Sequence, residues 1–135
     1  MVKMNCVVVD DEVMGRKLLE ENIKQIPFLH LVGSCSNAFE ATEVLKKERV
    51  DLLFLDIQMP GMDGLETTRI IKSSPNTKGS KTPVVALTAH AMASEREHLL
   101  KNGMDDYLTK PVDEAVLIQT IYKWTGTEVN EEVQD

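Results

Sequence analysis

The chain has 135 residues, 42% hydrophobic and 27% charged, a size and balance suited to one globular domain around a single core. Aromatic residues are only 4%, so that core must be mostly aliphatic. The formal net charge of −7 argues against a chain that grips nucleic acid through clustered Lys and Arg, and suits one that meets other proteins or binds cations.

Short apolar runs alternate with helical patterns. Asn5 to Val9 (NCVVV) reads as a buried strand stopped by Asp10-Asp11. A helix is expected over Glu12 to Gln25, with Met14, Leu18, Ile23 and Ile26 near its apolar face. Leu29 to Cys35 is a second, weaker strand, and Ala38, Ala41, Val44 and Leu45 follow at helical spacing. Asp51 to Leu55 is the third strand, and its near-continuous apolar run predicts cover on both faces, as in a parallel sheet. Gln58 to Met62 is a loop by its Pro and Gly, after which Asp63 and Glu66 suggest a capping box opening the next helix. Ser73 to Lys81 is a polar loop, and Pro83 to Leu87 is a fourth strand. A helix is expected from about Met92, with Ser94 and Glu97 as a second capping box and Gly103 as its C-cap. Tyr107 to Thr109 is a short fifth strand. Asp113 caps a last helix carrying Val116, Leu117, Ile121 and Trp124, and Gly126 ends it.

Five βα units in a row call for a parallel sheet with helices on both faces. With no second apolar block, one flavodoxin-like (βα)5 domain over residues 1–126 is expected, an α/β doubly wound fold with strand order 2-1-3-4-5. Residues 127–135 read as a disordered acidic tail. No apolar run could span a bilayer, and the start does not read as a signal peptide, so a cytoplasmic location is expected. Cys6 and Cys35 lie in apolar contexts without a CxxC pattern and read as buried reduced thiols.

In such a fold, ligands sit beyond the carboxyl ends of the strands where the winding reverses, here between the first and third strands. Asp10 and Asp11 end the first strand and Asp56 ends the third, so three carboxylates converge on one crevice. Such a cluster repels itself unless a cation compensates, and an all-oxygen donor set with few protein ligands suits Mg²⁺. Thr88 ends the fourth strand and Lys110 follows the fifth. A carboxylate nucleophile, a divalent cation, a hydroxyl and an ammonium together make a phosphoryl-transfer site. Taken singly, Asp11 could be only a helix cap, Thr88 a satisfied strand-end hydroxyl and Lys110 a solvated charge. Their joint placement at the ends of four strands is what those readings leave unexplained.

The blocks VVVDDE (Val7 to Glu12), LLFLDIQMPGMDG (Leu52 to Gly64), VVALTAHA (Val84 to Ala91) and DYLTKPVD (Asp106 to Asp113) resemble the response-regulator receiver domain of two-component signalling, from about Asn5 to Trp124. The resemblance implies that Asp56 accepts a phosphoryl group from phosphohistidine on a histidine kinase or histidine phosphotransfer domain. It implies that Asp11, Asp56 and the backbone carbonyl of Gln58 bind Mg²⁺ directly and that Asp10 helps through water. Lys110 and Thr88 would contact the phosphoryl group, Tyr107 would rotate inward as the switch, and the Lys110-Pro111 bond would be cis. Gln58 and His90 would tune the lifetime of the acyl phosphate. The readout face would be the fourth helix, fifth strand and fifth helix, through which such domains can pair when phosphorylated. Catalysis would be limited to self-catalysed phosphoryl transfer and autodephosphorylation.

Up to about Gly64 the chain resembles receivers that precede LytTR-type DNA-binding domains. Thr82 to Asp113 is more similar to receivers of hybrid sensor kinases, which implies mixed ancestry or a constructed chimera. Two other classes compete. A haloacid-dehalogenase-type phosphatase also uses Asp, Mg²⁺, Thr or Ser and Lys, but its nucleophile follows the first strand in a DxD pattern. A flavodoxin-like flavin carrier would need a Ser-, Thr- and Gly-rich phosphate loop where this chain has two acids.

Overall fold

The computed structural model describes residues 4–57, 66–69, 82–89, 93–110 and 112–125. In chain order they form β1 (Met4–Val9), α1 (Val13–Lys24), β2 (Leu29–Cys35), α2 (Ala38–Lys47), β3 (Leu52–Asp56), helical residues 66–69 (α3), β4 (Val84–Thr88), α4 (Ala93–Lys101), β5 (Asp106–Thr109) and α5 (Glu114–Thr125). The strands make one parallel sheet in the order β2-β1-β3-β4-β5, the doubly wound arrangement that the βα alternation predicts.

The strict two-residue period of the three central strands divides the core in two. Cys6 and Val8 of β1, Leu52 and Phe54 of β3, and Val85 and Leu87 of β4 point into one layer, with Leu19 and Ile23 of α1 and Leu117 and Ile121 of α5. Val7, Val9, Leu53, Leu55, Val84 and Ala86 point into the other, with Ala41 and Leu45 of α2 and Leu99 of α4. Cys6 and Cys35 therefore belong to opposite layers, both free and buried. Burial pushes the Cys6 thiol up to about 12 and the Cys35 thiol up to about 11, so both stay protonated at neutral pH.

Several local expectations shift. Strands β3 and β4 each begin and end one residue later than the sequence predicts, which brings Asp56 and Thr88 inside the ladder. Pro83 has no N–H to give the ladder, and it precedes β4 while its carbonyl accepts from Leu53 N–H. On α1 the expected apolar face holds in its second half only: Ile23 and Ile26 are buried, but Met14 is 75% and Leu18 51% exposed, and Leu19 is buried instead. Residues 19, 23 and 26 follow the i, i+4, i+7 rule, and Leu18 lies one position, roughly 100°, off that stripe. Similarly, Val116 on α5 is half exposed, while Leu117 and Ile121 are fully buried.

Helix caps also differ. Asp11 is not the cap of α1; the N-cap is Glu12, without a side-chain cap bond. Helix α2 has a cap that the sequence pattern did not suggest: Asn37 accepts from Glu40 N–H, and Glu40 reaches back past the N-cap to accept from Ser36 N–H and Oγ. Ser94 lies inside α4 and so cannot be its N-cap. Asp113 does cap α5, accepting from Val116 N–H at 3.1 Å. Asp63, Gly126 and the tail lie outside the described residues.

The C-terminus of α4 closes on Gly103, whose φ is +99°. Gly103 N–H donates to Leu100 O and Met104 N–H to Leu99 O, a Schellman motif that places Met104 against Leu99. A Cβ at position 103 would meet only Thr68 Cγ2 at 3.7 Å, so space is not the constraint. The backbone is, because a left-handed φ costs an L-residue about 1–2 kcal/mol. Gly103→Ala is therefore expected to lower unfolding free energy by about 1 kcal/mol, read from urea midpoints with unchanged slope.

Candidate functional site

The carboxyl ends of β1, β3, β4 and β5 bring the expected polar residues to one rim. Asp10 is 1% exposed, Asp56 4% and Thr88 0%. Asp11, one step further along the chain, is exposed. One carboxylate oxygen each from Asp10, Asp11 and Asp56 lies within 4.8 Å of the others, and among the described residues this is the acidic group able to hold a cation.

Lys110 bridges two of the three. Its Nζ lies 3.1 Å from Asp10 Oδ2 and 3.2 Å from Asp56 Oδ2. Backbone pairing sets it there: Thr88 is in register with Thr109, and Lys110 N–H donates to Thr88 O at 2.7 Å. Burial alone would pull the lysine down, but the hydrogen bond to Asp10 and the charges of Asp56 and Asp10 outweigh it and hold Lys110 above the usual lysine range. It is thus an ammonium at any physiological pH, offsetting one of three clustered negative charges.

Asp10 is engaged on every side. Its N–H donates to Cys35 O, its Oδ1 accepts from Glu12 N–H, its Oδ2 accepts from Lys110, and its carbonyl accepts from Arg16 Nη1 at 2.8 Å. Gly15 leaves room beside it, since a Cβ there would stand 3.2 Å from Asp10 Oδ2 and 3.1 Å from Glu12 Oε1. Glycine inside a helix costs about 1 kcal/mol relative to alanine, so its place beside the acid is not one helix propensity would choose. A groove of about 440 Å³ runs from here between α1 and Val112, with Lys110 at its charged end.

Tyr107 is half-buried on the edge strand β5 and packs against the layer of Val84, Ala86 and Leu99. Its neighbour Asp106 accepts from Tyr107 N–H through Oδ1 and from Trp124 Nε1 through Oδ2, at 2.8 and 2.7 Å. Lys123 pairs with the same Oδ2 and lies over the Trp124 ring. The strand beside the site is in this way tied to the end of α5.

The structure thus brings together Asp10, Asp11, Asp56, Thr88 and Lys110, while Tyr107 lies on β5 in register with Ala86, two residues before the rim. Gln58, His90 and Pro111 lie outside the described residues. Arg16, Gly15 and the Asp106–Trp124 bond escaped the sequence reading. For Arg16 a signal existed: a cation as fourth residue of a helix opposes the macrodipole, so another partner should hold it there.

The model of the response regulator receiver domain matches residues 6–122. The chain belongs to that family. The receiver is 48% identical over 96 residues to the sensor histidine kinase GacS of Pseudomonas protegens, covering 70% of this chain and 10% of that protein. It is 37% identical over 121 residues to the signal transduction histidine-protein kinase BarA of Escherichia coli K12, covering 90% of this chain and 13% of that one. The chain therefore spans a small fraction of these relatives. Among solved structures, the receiver domain of the sensor histidine kinase PA1611 of Pseudomonas aeruginosa PAO1, which has a magnesium ion coordinated in its active site cleft, superposes with a TM-score of 0.80 at 28% identity, over 93% of this receiver and 100% of that chain.

The fold and function class expected from the motif blocks are therefore those of the receiver. The phosphatase alternative is not supported: the family match is to receivers, and β1 is followed by the adjacent pair Asp10-Asp11, not by a DxD. No helix among the described residues is long and apolar enough to cross a membrane.

Proposed function

We propose that this receiver, residues 1–126, takes a phosphoryl group from phosphohistidine onto Asp56. The observation that carries the proposal is the buried Asp56 carboxylate, 3.2 Å from the Lys110 ammonium and within 4.8 Å of two further carboxylates. An all-oxygen set of three acids fits Mg²⁺, which accepts one or two carboxylates and fills its remaining positions with water and phosphate oxygens. The magnesium ion in the cleft of the PA1611 receiver supports that choice. Asp11 and Asp56 would hold the ion, with the Gln58 carbonyl as a further ligand and Asp10 acting through water. Asp10 has both carboxylate oxygens committed, to Glu12 N–H and to Lys110, which suits the indirect role.

The bound ion would supply charge neutralisation at the transferring group. The chain's own residues do the rest. Asp56 presents the attacking oxygen, Lys110 stands where it can pair with an equatorial phosphoryl oxygen, and Thr88 offers a hydroxyl at the neighbouring strand end. Tyr107 and Thr88 form the switch, His90 and Gln58 tune the lifetime, and the domain loses the group again by autodephosphorylation. The donor is a histidine kinase or histidine phosphotransfer domain, in keeping with the kinases to which the chain is related, and a cytoplasmic location goes with that donor. Output runs through the α4-β5-α5 face, by contact with another protein or by pairing of two copies. The acids belong to the first half and that face to the second, so mixed ancestry of the two halves would make their coupling a property to measure.

Intact mass after incubation with acetyl phosphate tests the assignment. The parent is expected to gain one labile phosphoryl group only when Mg²⁺ is present, and Asp56→Asn none. A phosphorylated Asp56→Asn, or an unmodified parent with Mg²⁺, would sink it.

A further inference from the structure

Asp11 poses a problem of positioning. It is exposed, and among the described residues its carboxylate makes no hydrogen bond or ion pair, so no side-chain partner aims it at Asp56. Its direction is set by the backbone, and the peptide that leads into it has its oxygen on Asp10. That oxygen is the one Arg16 Nη1 holds at 2.8 Å.

Arg16 is itself held. It sits in α1 with its side chain 19% exposed, and its Nε faces Glu20 Oε2 at 3.8 Å. Glu20 in turn accepts from Ser34 Oγ on β2. A chain of contacts thus runs from the outer strand β2 through Ser34, Glu20 and Arg16 to the turn bearing the acid pair. The i, i+4 pair alone is worth little at a surface. A helical N-terminus also disfavours a cation, so the bond to Asp10 O is what gives Arg16 its place.

We infer that Arg16 is a positioning residue for the divalent cation, fixing the Asp10–Asp11 peptide so that Asp11 faces Asp56. The inference rests on the reading of Asp10, Asp11 and Asp56 as a cation site. Charge and position make opposite demands here, which gives the idea a sharp test. By Coulomb's law alone, removing a cation from beside an acidic crevice tightens Mg²⁺ binding. Removing the device that aims a ligand weakens it, as loss of an outer-shell partner weakens metal sites by about 10–100-fold.

The experiment is calorimetric titration of Mg²⁺, without phosphodonor, into the parent, Arg16→Met and Arg16→Lys, with thermal melts of all three in EDTA. Arg16→Met keeps the stem and loses the donors, and is expected to bind about tenfold more weakly. Arg16→Lys keeps one cationic donor and is expected to recover part of the loss. All three are expected to melt cooperatively in EDTA. Binding by Arg16→Met as tight as the parent's, or tighter, overturns the inference and leaves the cation site standing. Weakening in both variants together with loss of the cooperative melt also overturns it, since Arg16 would then support the fold in general. A parent that binds no Mg²⁺ removes the cation site and the inference together.

Discussion

Lys110→Met is expected to slow phosphoryl uptake from acetyl phosphate by about 10²–10³-fold while tightening Mg²⁺ binding by up to about tenfold. The two effects have opposite signs for one physical reason. The ammonium occupies the same pair of oxygens, Asp10 Oδ2 and Asp56 Oδ2, that draw a cation to the crevice. Without it the crevice is more negative and holds a divalent ion better, within the limit set by solvent screening at a side chain 28% exposed. During transfer the same ammonium faces the charge on the incoming phosphoryl oxygens, and a partner already held in place for that charge costs no reorganisation in the transition state. Time-resolved intact mass at saturating Mg²⁺ separates the terms, because tighter metal binding cannot rescue the rate there. A rate near the parent's would mean Lys110 does not touch the transferring group. The pH dependence has a definite sign as well. A lysine held above its ordinary 10.5 contributes its ion pair in full below that value and loses it only as pH rises through the higher folded-state value. Between pH 7 and 9, then, no change in the parent's rate is expected from Lys110.

The sequence made the strand ends legible because each is marked twice, by the end of an apolar run and by a polar residue of a particular kind. Val9 to Asp10, Leu55 to Asp56 and Leu87 to Thr88 are such steps, and each lies at the same rim of the sheet. That the strands are parallel followed from the alternation of elements, since parallel strands need crossovers, and their order followed from the fit of five such units, with no second apolar block, to a flavodoxin-like domain. The apolar face of α1 was less legible. Met14 and Leu18 share spacing as good as that of Leu19 and Ile23, and only packing on the sheet decides between the two stripes. The caps show a related limit: Ser94 and Glu97 carry the right residues at the right spacing, but α4 already includes Ser94, and a local pattern cannot fix the helix start against the register of a whole βα unit. Arg16 and Asp106 escaped because their partners, a backbone carbonyl at Asp10 and the Trp124 indole, are contacts of the folded chain with no periodic trace.

Phe54→Ala is expected to have the largest effect on stability. Phe54 is fully buried and heads the side chains with the least exposure by size. It stands in register with Val8 of β1 and Val85 of β4, in the layer shared with Leu19 of α1 and Leu117 of α5. The same layer holds Phe28, with Tyr122 and Trp124 packed against it, but Phe28 is already stacked on Tyr122, with ring centroids 5.6 Å apart. Truncating a buried Phe costs about 3–5 kcal/mol, against a total of about 5–15 kcal/mol for a domain. For a chain of this size that corresponds to a drop of roughly 10 °C or more in Tm, measurable by circular dichroism in EDTA. Asp56 lies two residues along the same strand and shares its backbone register, so the cavity opens directly beneath the acid site. The variant is therefore expected to lose Mg²⁺ affinity near its melting range and to keep it at low temperature, where the sheet is intact. A loss below about 1.5 kcal/mol would show that the aliphatic layer can collapse around the gap, and that the site tolerates a softer floor than close packing implies.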